Sequence, residues 1–250
     1  MHDADYTVGT VLGYVSNAFV AGEAYTSRWN EPVFSPAMAD GPALFEWIQR
    51  DGDLLTLDLP RYGDREGHPG FVSSEGTLAL SREGELIGQL ESTGFAQFEL
   101  PPEPASYRLE LDEHQSLYEL TTHQQVAWTF QSGHAEEGSP ERVPLLVVRF
   151  TPELDERGRA PSGTRFCLPL SVEQYDRAEP LVVSAPSLEV SYDDGATWAA
   201  AGVEANGSGW NAFLEHPEGA EYVSLRTSTR DASGSAVEQT LIRAYALAQR

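Results

Sequence analysis

The chain reads as all-β, arranged as two β-sandwich domains, and three observations lead there. Apolar and polar residues alternate at period two along most of the 250 residues. Turn-forming residues recur about every 8 to 12 positions, as between short strands. A hydrophobic content of 40% with 10% aromatics is enough to fill a real core.

The elements follow in order. Ala43-Leu44-Phe45-Glu46-Trp47-Ile48 carries a short helical pattern. Leu54-Leu55-Thr56-Leu57-Asp58-Leu59 alternates and stops at Pro60. Strands at 77–81 and 86–90 flank Arg82-Glu83-Gly84-Glu85, a hairpin whose glycine reaches positive φ without strain. Strands at 95–100 and 107–111 follow around a Pro-rich corner, then a short one at Leu117-Tyr118-Glu119-Leu120 and another at 126–130. Residues 133–141 are polar, acidic and rich in turn formers, as a linker or long surface loop should be. Beyond them, runs at 145–150, 166–172, 188–192, 212–214, 222–227 and 241–247, with a strand at Trp198, make about seven strands in roughly 105 residues. That is the size of an immunoglobulin or fibronectin type III sandwich. The expected division is a jelly-roll-like sandwich over 1–140 and an immunoglobulin/fibronectin type III-like one over 141–250. No internal repeat is evident.

A net charge of −23 repels phosphate backbones and anionic lipid, so neither nucleic acid nor membrane is an expected partner. All 16 basic residues are arginine. Cys167 is the only cysteine, which rules out an internal disulfide, and its setting in Phe166-Cys167-Leu168 suits a small core residue. No stretch approaches the ~18 uninterrupted apolar residues of a membrane span. The acidic start Met1-His2-Asp3-Ala4-Asp5 lacks the positive region of a signal peptide.

Catalytic templates fail: there is no Gly-x-Ser-x-Gly elbow, zinc-binding His-Glu-x-x-His, Cys-x-x-Cys pair or phosphate-binding glycine loop. No catalytic or cofactor-binding residue is assigned. A metal site joining His114 and His123 to His68 stays open, although scattered histidines suit the spacing better. Asp193, Asp194 and Asp231 are the calcium candidates, because Asp/Gly turns offer hard oxygens; turn chemistry accounts for them equally. Trp29, Trp47, Trp128, Trp198 and Trp210 suit a core, or a sugar-stacking platform if Trp29, Trp47 and Trp128 share one sheet face. The second arrangement defines the alternative reading, a carbohydrate-binding module. Asn206-Gly207-Ser208 fits a glycosylation acceptor.

Ser191-Tyr192-Asp193-Asp194-Gly195-Ala196-Thr197-Trp198 is a β-hairpin in residue chemistry. Val190, Tyr192 and Trp198 suit a packed face, and Glu189, Ser191 and Thr197 an exposed one. The structural residues are Ser191, Asp193, Gly195, Thr197 and Trp198. This pattern resembles the Asp-box of sialidases and many extracellular β-domains. One copy without sialidase context speaks for a hairpin rather than sugar hydrolysis.

With Gly209-Trp210-Asn211-Ala212, His216-Pro217, residues 220–226 and Val237-Glu238-Gln239-Thr240-Leu241-Ile242-Arg243-Ala244-Tyr245, the run Leu188 to Trp198 resembles the C-terminal end of large actinobacterial subtilisin-like serine peptidases. Upstream, residues 25–30, Trp128-Thr129-Phe130, 144–150 and Arg159-Ala160-Pro161 agree. The resemblance implies a secreted, extracellular parent and a non-catalytic accessory role that stabilises, spaces or engages substrate. Its implied partners are the parent's catalytic domain and a polymeric protein or polysaccharide. The family's Gly-Thr-Ser-Met, His-Gly-Thr and Asp-bearing motifs are absent, so no catalytic residue carries over.

Overall fold

The structure, a computed structural model, describes residues 11–12, 20–26, 28–37, 48–91, 93–174 and 181–248. Among the described residues there are strands and no helix. The first half holds β1 (Val11–Leu12), β2 (Ile48–Asp51), β3 (Leu54–Asp58), β4 (Gly70–Phe71), β5 (Glu75–Arg82), β6 (Glu85–Leu90), β7 (Phe95–Glu99), β8 (Ala105–His114) and β9 (His123–Ser132). The second holds β10 (Glu141–Arg142), β11 (Leu146–Phe150), β12 (Arg159–Pro161), β13 (Arg165–Gln174), β14 (Ser187–Ser191), β15 (Ala199–Ala200), β16 (Val203–Asn206), β17 (Gly209–Glu215), β18 (Tyr222–Arg230) and β19 (Ala236–Ala248). Of the expected helix, 43–47 lie outside the described residues and Ile48 opens β2.

Strand order identifies the architecture. In the second half, β11-β13-β17-β16 form one sheet, and β15-β14-β18-β19 run consecutively in the other. Lettered in chain order, that is A-B-E-D against C′-C-F-G, the immunoglobulin arrangement. The first half repeats it: β2-β3-β7 correspond to A-B-E, and β6-β5-β8-β9 to C′-C-F-G. The jelly-roll order expected for 1–140 is therefore corrected, and a topological repeat absent from the sequence pattern appears. Alternation reports which face of a strand is buried; it does not report which strands pair.

The two G-type strands join the halves. β19 pairs antiparallel with β9 from Ala236↔Thr129 to Ile242↔His123, so a nine-stranded sheet crosses the expected boundary at 140/141. One apolar cluster runs beneath it, from Leu55 and Leu109 to Leu168 and Leu225. Trp128 of β9 is wholly buried there, and its indole N–H donates to the Leu146 carbonyl at 2.8 Å. Residues 133–141, read as a linker, are tied down instead. The Ala135 amide donates to the Gly52 carbonyl, the Gly138 amide to the Asp51 carboxylate, and Glu141–Arg142 pair with β2.

One strand expectation is overturned. Residues 117–120 form the bend between β8 and β9. The Gln115 side chain organises it: Oε1 accepts from the Leu117 and Tyr118 amides, and Nε2 donates to the carbonyls of Tyr118, Leu120 and Thr121. A buried side chain thereby supplies the partners that a neighbouring strand would have provided.

Candidate functional site

The outer face of the continuous sheet presents two constructions at one end. The first is the 191–198 turn joining β14 to β15, which pair antiparallel. Asp194 and Gly195 take φ of 54° and 86°, as the reversal demands. Ser191 Oγ accepts the Gly195 amide at 2.9 Å and donates to Asp193 at 2.7 Å. Asp193 in turn accepts the Thr197 amide at 2.8 Å and its hydroxyl at 2.6 Å. The Thr197 hydroxyl leads the bonds that hold the Asp193 carboxyl at about 2, followed by Ser191 and the Thr197 amide. Ser191, expected on an exposed face, is buried because its hydroxyl is consumed inside the turn. Trp198 lies under the Arg226 guanidinium, 4.6 Å from the ring centroid. Arg243, at φ 58° beside a bulge in β19, reaches back to Asp194 with Nε at 3.0 Å and Nη2 at 2.6 Å.

The calcium candidates do not converge. Ser191↔Ser224 places Asp193 and Asp194 at one end of β18, while Asp231 follows Arg230 at the other. Six residues of strand at about 3.3 Å each separate them by roughly 20 Å. Asp231 caps its own turn, accepting from the Ser233 amide and hydroxyl and the Ser235 amide.

The second construction lies at the adjoining ends of β8 and β9. His114 and His123 are direct cross-strand partners, their rings stacked with centroids 3.7 Å apart and planes 16° from parallel. Asp112, two residues before His114 and so on the same face, places Oδ1 2.8 Å from His123 Nε2 and 3.8 Å from His114 Nε2. Its Oδ2 accepts from the Gln125 side-chain Nε2 at 2.7 Å. Partial burial raises the Asp112 carboxyl, but the Gln125 and His123 hydrogen bonds and the imidazole charges outweigh it, leaving the group below the usual carboxylate range. A cleft of about 440 Å³ opens beside the imidazoles, lined also by Ser73, Ser74, Glu75 and Gln115. On the inner face, directly behind, Glu113 is fully buried and ion-paired to Arg61, with Ser74 donating to it at 2.6 Å.

His68, the third histidine of the sequence reading, goes elsewhere. It pairs with Asp64 at 2.8 Å and stacks on Trp29 at 3.6 Å. Asp112 takes its place; the Asp-x-His spacing was visible, but the pairing with His123 depends on register. Of the three tryptophans in the platform reading, Trp128 is core, Trp29 is 40% exposed, and Trp47 lies outside the described residues. Cys167 is half-buried in β13, and Asn206-Gly207-Ser208 forms an exposed turn between β16 and β17.

No protein-family model and no curated protein matches the chain. Among solved structures, fibronectin(III)-like modules of Clostridium thermocellum CbhA align at 11% identity over 81% of this chain and 91% of theirs, with a TM-score of 0.28. A chimeric titin Z1Z2-Z1Z2 tandem aligns at 11% identity over 80% of this chain and 98% of its own, with a TM-score of 0.26. At such scores the fold rests on the strand order, not on these alignments.

Proposed function

We propose that the chain is a non-catalytic accessory module of a secreted subtilisin-like peptidase, which stabilises or spaces the catalytic domain. The observation that carries this reading is the sheet running without interruption from β6 to β15 through the β9–β19 pairing. Two sandwiches joined this way form a stiff unit, whereas domains on a free linker swing independently. The sequence resemblance supplies the identity of the parent. The burial of Trp128 removes one of three aromatics from the carbohydrate-binding alternative.

The test is co-expression with the catalytic domain of an actinobacterial subtilisin-like peptidase. The expected result is co-elution and a longer thermal half-life of the peptidase, with no casein hydrolysis by the purified chain alone. Hydrolysis by the chain that a serine-directed inhibitor blocks contradicts the proposal, as does an unchanged peptidase half-life.

A further inference from the structure

The cross-strand imidazoles and Asp112 satisfy requirements that turn hydrogen bonding does not impose. We propose that Asp112, His114 and His123 bind a divalent transition ion of zinc type, with the remaining coordination position facing the adjacent cleft. This site is independent of the accessory role and stands or falls separately.

The donor set selects the ion. Two imidazole nitrogens and one carboxylate oxygen suit zinc and its neighbours, whereas calcium needs six to eight oxygens. Distances agree. One donor atom from each residue lies within 4.8 Å of the others. In a tetrahedral site with ligand bonds near 2.0–2.2 Å, donors sit about 3.4 Å apart. The Asp112 Oδ1 separations of 2.8 Å and 3.8 Å bracket that value, and binding would require the stacked imidazoles to splay so that their nitrogens meet at one point.

The scaffold is rigid where it matters. All three ligands stand on ladder-paired residues, since Asp112 pairs with Gln125 and His114 with His123. Gln125 holds Asp112 Oδ2 at 2.7 Å and leaves Oδ1 turned toward the imidazoles, as outer hydrogen bonds orient ligating carboxylates elsewhere. Glu75, the cross-strand partner of His114 on β5, lines the same cleft beside the open position. A bound ion would clip the start of β9 to the end of β8.

The test is calorimetric titration of the full chain with Zn²⁺ in moderate salt, repeated with Co²⁺ while the visible spectrum is followed. One Zn²⁺ per chain is expected, with His123→Gln and His114→Gln each weakening binding at least about tenfold, and Gln125→Ala by about tenfold. His68→Gln should leave affinity unchanged, and Co²⁺ should give the visible bands of a nitrogen-ligated ion. Thermal melts of the metal-free variants confirm that folding is retained. No saturable Zn²⁺ binding, equal affinity in His123→Gln, loss in His68→Gln, or equal displacement by Ca²⁺ would each overturn the site.

Discussion

His216 is buried among Phe166, Tyr192 and Tyr245, with the Tyr192 hydroxyl 3.0 Å from Nδ1. Burial holds its pKa at about 4, against 6.5 for a free imidazole. Between those values the unfolded chain binds a proton that the native state refuses. Stability therefore falls as pH drops from about 6.5 and levels off near 4, by up to about 3 kcal/mol. Urea unfolding at pH 7 and 4.5 checks this: the drop should be smaller in His216→Gln by about 2 kcal/mol. Arginine has a comparable local use. Arg149 is 2% exposed, and its guanidinium serves the Ser35 hydroxyl at 2.8 Å, the Pro36 carbonyl at 3.0 Å and the Asp64 carbonyl. Desolvation lowers its pKa from the ordinary arginine value. A lysine ammonium lacks the planar fork that reaches these acceptors together. Arg149→Lys is expected to cost about 2–4 kcal/mol in urea unfolding.

At the scale of elements, β5 and β8 approach closely at Gly76, where an added Cβ would collide with the Asp112 carbonyl oxygen and the Glu113 backbone. Gly76→Ala must push two ladder-paired strands apart and should cost roughly 1–3 kcal/mol, read as a lowered thermal midpoint. Strand positions were largely legible in the sequence because half-buried strands must alternate. Residues 54–59 became β3, 95–100 became β7 and 145–150 became β11. The bend at 117–120 misled because Leu, Tyr and Leu have strand-like chemistry, while Gln115 decides the backbone's partners from outside the segment. The reversal at 191–198 was legible because Asp, Gly and Thr there act locally, but the burial of Ser191 was not, since it follows from the bonds its hydroxyl makes inside the turn. The His114–His123 pair was half legible: the residues stood out, but only register could seat Asp112 beside them and send His68 to Asp64. Pairing between β9 and β19 lies beyond period-two reasoning, because it joins residues more than 100 positions apart.

For the whole molecule, the β9–β19 pairing and the Trp128–Leu146 bond join two immunoglobulin-type sandwiches into one body. Residues 141–250 expressed alone would bare β19 as a long edge with unpaired backbone groups, an invitation to further pairing. That fragment is expected to self-associate in light scattering after gel filtration, while the full chain remains monomeric. Joined in this way, the seam is as stable as the cores on either side of it. Native-state hydrogen exchange on peptides covering 123–129 and 236–242 tests it most directly. The amides of the seam should exchange only with global unfolding, at the rate of β8 and β18. Exchange of both segments well ahead of those strands, while they remain protected, would show that the halves part freely and that the seam does not hold them.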